Sequence, residues 1–241
     1  QKQFASKEEK DAAAKALWEE LIDSGKLGYM ALLRNLRNIL QVKVSPAHIE
    51  KVASIISDPE KVAKSKQLPF RFLAAYKELT GVTSVHTSTL LSALERAVKA
   101  SVANLEGFGP DTNVLVAADV SGSMFSPISM RSSVMNYDIG ILLSMLLKSK
   151  CSSVISGMFG DSWKVMNLPQ ENILANTIEM KRREGEVGYS TNGYAVIDYL
   201  IKNNIRMDKV MMFTDMQMWD SRFADKHLQA SWNRYRQMYP E

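Results

Sequence analysis

Val114–Phe125 reads VLVAADVSGSMF, an apolar run that breaks off at Asp119 and continues with Ser121 and Ser123 at alternate positions. In an extended turn, residues two apart face the same side, so one carboxylate and two hydroxyls can converge on a single point. A second apolar run, KVMMF (Lys209–Phe213), ends in Thr214-Asp215, which places another carboxylate at a strand end. Between them the loop EVGYSTNGYAV carries Thr191 at an expected helix start. Hydroxyl and carboxylate oxygens without His or Cys are the ligands of a hard divalent cation. Mg²⁺ is favoured because it accepts few protein ligands and keeps several waters. Taken alone, D-x-S-x-S also fits a helix-capping or turn cluster.

The surrounding pattern selects the fold. After Pro110, strands expected at Asn113–Ala118, Ser153–Phe159, Trp163–Met166 and Lys209–Phe213 alternate with helices. The helices are expected at about 131–148, 170–181, 191–202 and 224–238. Such alternation predicts an α/β, Rossmann-like parallel sheet with helices on both faces. Ligands of such sheets bind at the carboxyl ends of the strands, where Asp119 lies.

Before Pro110 the pattern is helix after helix. Ser6 and Glu9 form a capping box ahead of Ala12, Ala16, Leu17 and Leu21. Leu27–Leu40 reads as one amphipathic helix. Ser45-Pro46, Asp58-Pro59 and Pro69 open the next three, each with Pro at the first helical position. A sixth is expected from Ser88 to Leu105. The series predicts an α-solenoid or another all-helical array, with an irregular bundle as the alternative. The expected division is residues 1–108, helical, and residues 109–241, α/β.

Of the 241 residues, 46% are hydrophobic and 23% charged, as expected of a packed globular protein. The longest apolar runs, such as Ile139–Leu147, are too short to cross a bilayer, so no membrane partner is expected. Cys151 is the single cysteine, which excludes an intrachain disulfide framework and favours the cytoplasm. The whole +4 charge lies in residues 1–110 and points to a polyanion partner there. His48, His86 and His227 have no metal or triad spacing, so surface or capping roles are expected. Cys151 is expected to be a small buried residue, and Lys181-Arg182-Arg183 a solvated helix end. Met211 and Met212 are expected to pack in the sheet core, and Met216, Met218 and Trp219 to stand near the rim of the strand-end site.

The order D-x-S-x-S after a first strand, a downstream Thr and a later Thr-Asp resembles the metal-ion-dependent adhesion site of von Willebrand factor A domains. That resemblance implies Ser121 and Ser123 as direct ligands and Thr191 as a third hydroxyl, direct or through water. Asp119 and Asp215 would act mainly through bound waters, leaving one position open for an acidic residue of a protein partner. Here the loop reads GYST, where A domains more often have paired glycines before the Thr.

YMALLRNLRNIL (Tyr29–Leu40) and QLPFRFLAAY (Gln67–Tyr76), followed by VLVAADVSGSM, resemble the TROVE-domain proteins, the Ro autoantigen family. In that family HEAT-like helical repeats precede an A domain. The family's ring is longer on its N-terminal side and its A domain has a further strand and helix, so both parts are expected to be incomplete here. The resemblance implies a binding protein, not an enzyme, for small structured non-coding RNA (Y RNA-like) and the single-stranded ends of misfolded RNA. Lys61, Lys64, Lys66 and Arg71 are the candidate phosphate contacts, with an ordinary solvated helix face as the alternative. Arg34, Asn35, Arg37 and Asn38 are expected to hold helical repeats together. The competing reading is a protein-interaction module, a metal-dependent A domain on a helical stalk without RNA binding.

Overall fold

The computed structural model describes residues 6–130, 132–215 and 227–240. Two compact units, Gln1–Asn104 and Leu105–Glu241, divide the chain.

The first unit is helical: α1 (Lys7–Asp23), α2 (Tyr29–Arg34), α3 (Leu36–Gln41), α4 (Pro46–Ser57), α5 (Pro59–Ser65), α6 (Pro69–Thr80) and α7 (Thr87–Ser101). The starts follow the expected caps. The Ser6 hydroxyl accepts from Glu9 N, Ser45 from His48 N, and Asp58 from Glu60 N and Lys61 N. Apolar faces pack successively: Ile49, Val52, Ala53 and Ile56 of α4 are buried, as are Leu90, Ala93, Leu94, Ala97 and Val98 of α7. Phe72, Leu73 and Leu79 of α6 close the same core. Each large side chain so buried contributes about 1.5–3 kcal/mol over leaving it in water. This chain of neighbouring helices has the HEAT-like character expected.

One helix expected at Leu27–Leu40 is two. Asn35 explains the break: its side-chain amide donates to Ala31 O at 2.8 Å. That is the carbonyl its own N–H would take in a continuous helix, and the N–H turns instead to Leu32 O at 3.1 Å. Asn38 then donates to Asn35 Oδ1 at 2.8 Å. These two asparagines therefore shape a local break instead of joining repeats. Arg37 does join elements, pairing with Glu78 of α6. Both partners are about half exposed, so the pair contributes no more than about 1 kcal/mol. Arg34 is exposed and makes no ion pair among the described residues. A junction the sequence did not reveal lies between α1 and α4. His48 Nδ1 meets Ser45 Oγ at 2.7 Å, its Nε2 meets Asp23 Oδ2 at 3.2 Å, and Lys51 reaches Asp23 at 2.9 Å.

The second unit holds β1 (Asn113–Asp119), β2 (Ser153–Phe159), β3 (Trp163–Val165) and β4 (Lys209–Phe213), with α8 (Asn136–Lys150), α9 (Ile173–Arg182), α10 (Tyr194–Lys202) and α11 (Leu228–Met238). The sheet order is β3-β2-β1-β4. β1 pairs in parallel with β2 and with β4, but β3 is antiparallel to β2, so the all-parallel expectation holds for three strands only. The Gly160-Asp161-Ser162 connection is too short for a parallel crossover. Alternate β1 residues face opposite layers. Leu115 and Ala117 pack with Val196, Ile197 and Leu200 of α10 and Tyr235 of α11. Val114 and Val116 pack with Leu147 and Cys151 at the end of α8, joined by Leu105 and Phe108. Met212 and Met211 join these two layers respectively, and burial raises the Cys151 thiol pKa.

Several starts are later than expected. α8 begins at Asn136 because the chain just before it pairs with residues 126–128, Ile128 N bonding Val134 O and Asn136 N bonding Ser126 O. α9 begins after Asn172, which has φ 57° and cannot lie inside a right-handed helix. α10 begins at Tyr194, so Thr191 lies in the loop before it. Met216, Met218, Trp219 and the expected start of the last helix at 224 lie outside the described residues.

Gly157 shows how closely β3 covers β2. A Cβ there would lie 2.2 Å from Lys164 O and 2.6 Å from the Trp163 ring. Gly157→Ala is expected to cost about 1–3 kcal/mol, read as a lower denaturation midpoint with unchanged slope. The basic end of α9 is paired. Lys181 sits 5.6 Å from the Tyr137 ring centroid, and Arg183 grips Glu186 at 2.7 and 3.0 Å. Arg183, then Lys164, lowers the Glu186 pKa to about 2. A depressed carboxylate contributes stability above its unfolded value, and that contribution disappears as pH falls through the folded one. The bridge between β3 and the end of α9 is thus kept at neutral pH and lost only as pH drops through about 2. A carboxyl NMR titration should place the midpoint there, and Arg183→Ala should move it up towards 4.5.

Candidate metal centre and basic patch

Parallel pairing aligns the carboxyl ends of β1, β2 and β4, and the candidate residues leave from that edge. Asp119 is fully buried, and each of its oxygens accepts a bond. Ser121 N donates to Oδ1 at 2.8 Å, and the Thr214 hydroxyl to Oδ2 at 2.7 Å. The second bond ties the end of β4 to the end of β1, and Asp215 follows directly. Ser121 Oγ and Ser123 Oγ are 3.3 Å apart. Neighbouring ligands on an octahedral Mg²⁺ at 2.0–2.1 Å stand about 3 Å apart, so the hydroxyl pair suits adjacent coordination positions. Asp119, Ser121, Ser123 and Thr214 are therefore one bonded cluster.

Thr191 is 4% exposed although it sits in a loop. That loop is pulled onto the strand ends from both sides. Gly122 N donates to Tyr189 O at 3.3 Å, and Asn192 N to Gly160 O at 3.0 Å. Phe125 stands 5.0 Å from Tyr137 of α8 and 5.8 Å from Tyr189, joining the D-x-S-x-S turn to the same loop. Two glycines lie at this approach. Gly188 has φ +73°, and a Cβ on Gly160 would lie 2.1 Å from Gly188 O. These two glycines let the β2–β3 turn and the loop approach each other closely.

Sequence reasoning missed Asp161. Its Oδ1 accepts from Ser190 N at 2.8 Å, and its backbone carbonyl accepts from the Asn192 amide at 3.0 Å. Bonds from the Ser190 hydroxyl and N–H, with a smaller part from Tyr189 N–H, hold the Asp161 carboxyl below its ordinary pKa. A signal existed: Gly160-Asp161 follows the apolar run of β2 at the same sheet edge as Asp119.

In the helical unit Lys61, Lys64, Lys66 and Arg71 are all exposed. Lys61 and Lys64 share the rim of a groove of about 310 Å³ lined below by Ile22, Tyr29 and Leu32. Lys61 is 3.8 Å from Asp58, Lys66 caps α5 with φ 51°, and Arg71 lies 5.0 Å from the Phe70 ring centroid. Two of the four candidates thus meet at one groove, with the others on the turn and first residues that follow.

The fold is that of a helical-repeat array followed by an A-type α/β domain. Residues 6–93 match the family model described as TROVE domain. Telomerase protein component 1 of Rattus norvegicus is 48% identical over 64 residues, and that of Mus musculus 47%. Each match covers 27% of this chain and 2% of the relative. Among solved structures, the Ro (RSR) protein of Deinococcus radiodurans superposes with a TM-score of 0.65 at 21% identity. That alignment covers 96% of this chain and 51% of the Ro chain, and at this identity it speaks for the fold alone.

Proposed function

We propose that the protein is a Ro-type RNA-binding scaffold whose A domain holds a divalent cation and docks a protein partner. The observation that carries this reading is the combination in one chain of a TROVE-type helical segment and an A-type sheet with an oxygen-donor cluster at its strand ends. The RNA classes are small structured non-coding RNA, Y RNA-like, and single-stranded ends of misfolded RNA. Lys61, Lys64, Lys66 and Arg71 contact phosphates, which supply most of the affinity and make it salt-dependent.

In the A domain, Ser121, Ser123 and Thr191 offer neutral hydroxyl oxygens to Mg²⁺. Both Asp119 oxygens already accept protein hydrogen bonds, which suits a carboxylate that orients metal-bound water. Asp215 is assigned the same task. With few anionic ligands, the bound cation supplies an electrophilic centre that attracts an acidic side chain of a partner. The function is binding and not turnover, and the location is the cytoplasm. A gel shift with hairpin RNA carrying a single-stranded tail tests the RNA half. A complex at low salt, weaker when the tail is removed, is expected. No complex at low salt rejects the reading in favour of a protein-interaction module.

A further inference from the structure

We infer that Asp161 is a positioning residue for the cation site, acting by fixing Thr191 at the strand ends; this deepens, and rests on, the metal-site reading above. Thr191 lies in a loop, outside any helix that would hold it, and yet it is buried. Its two neighbours are both tied to one residue. Ser190 donates to the Asp161 carboxylate, and the Asn192 side-chain amide donates to the Asp161 carbonyl. Asn192 N also bonds Gly160 O, and Ser162 N bonds Val187 O at 3.1 Å, so the β2–β3 turn brackets the whole segment.

The fit leaves little slack. A Cβ on Gly188 would fall 2.2 Å from Asp161 Oδ2, so the carboxylate occupies the space a side chain would take. Asp161 is an exposed residue of the turn between β2 and β3. A surface-turn residue whose carboxylate accepts the Ser190 N–H and whose carbonyl accepts the Asn192 amide serves to shape that loop. The loop's buried product is the Thr191 side chain. Asp161 itself need not touch the ion. Residues that orient metal ligands through hydrogen bonds commonly alter metal affinity by about 10–100-fold when removed.

The test is a set of Mg²⁺ titrations by calorimetry on the full chain. Asp161→Ala is expected to weaken Mg²⁺ binding about 10-fold, at the low end for such residues. Asp161→Asn, whose amide oxygen still accepts the Ser190 N–H, should recover most of it. If Asp161 acts through Thr191, the double variant Asp161→Ala/Thr191→Ala should bind no more weakly than Thr191→Ala alone. Amide exchange at Ser190 and Asn192 should speed up in Asp161→Ala with no metal present. Wild-type Mg²⁺ affinity in Asp161→Ala, or independent losses that add in the double variant, overturns the inference while leaving the metal site standing. Titration curves of wild type and Asp119→Ala that coincide overturn both.

Discussion

Asp119→Ala is expected to abolish the thermal stabilisation that Mg²⁺ gives the wild-type chain. A ligand at 100 times its dissociation constant stabilises the folded state by about 2.7 kcal/mol. For a protein of this size that corresponds to a melting shift of about 5–10 °C. The variant loses the buried acceptor that joins Ser121 N to the Thr214 hydroxyl, and with it the tie between β1 and β4 at the site. The metal-dependent shift should therefore fall to zero, whatever happens to the metal-free melting point. Equal Mg²⁺-dependent shifts in variant and wild type reject Asp119 as part of the site.

Replacing Lys61, Lys64, Lys66 and Arg71 together by Ala should lower affinity for a tailed hairpin RNA on the order of a hundredfold or more at 50 mM salt. Each phosphate contact on a single strand contributes about −0.7 to the slope of log affinity against log salt concentration, so four contribute about −3. The four cations are exposed, and the α5–α6 corner is held by Asp58, Pro59, Pro69 and the buried Val62, Phe72 and Leu73, so the variant should fold. Unchanged RNA affinity moves the RNA surface elsewhere on the chain.

Much of this was legible in the sequence where a single local cause decides the outcome. Lys209–Phe213 and Ser153–Phe159 were read with their observed limits because each is an apolar run of strand length ending in polar turn residues. Ser6, Ser45 and Asp58 announced three helices because a side chain that caps a helix must precede it by a fixed spacing. Asp119, Ser121 and Ser123 do lie together, but by a different route from the extended turn expected: Gly122–Phe125 is a 3-10 turn, and Ser123 reaches Ser121 from within it.

What escaped depends on contacts distant in sequence or on competition for one hydrogen bond. The break at Asn35 is invisible to hydrophobic periodicity, because Leu32, Leu33, Leu36, Ile39 and Leu40 keep their helical spacing across it. Thr191 was expected at a helix start, whereas the helix begins at Tyr194. Thr191 lies instead in a loop where its neighbours Ser190 and Asn192 bond Asp161 and Gly160, residues that come near only once β2 has paired beside β1. β3 was read as a strand but its direction was missed, although the short Gly160-Asp161-Ser162 turn admits only the antiparallel partner.

RNA binding through phosphate contacts is read from its salt dependence. Affinity of the wild-type chain for a hairpin RNA with a single-stranded tail should be measured from 50 to 200 mM salt. Binding that weakens about 50-fold across that range, as four single-strand phosphate contacts require, is the predicted result. No binding at 50 mM, or an affinity that salt leaves unchanged, contradicts it.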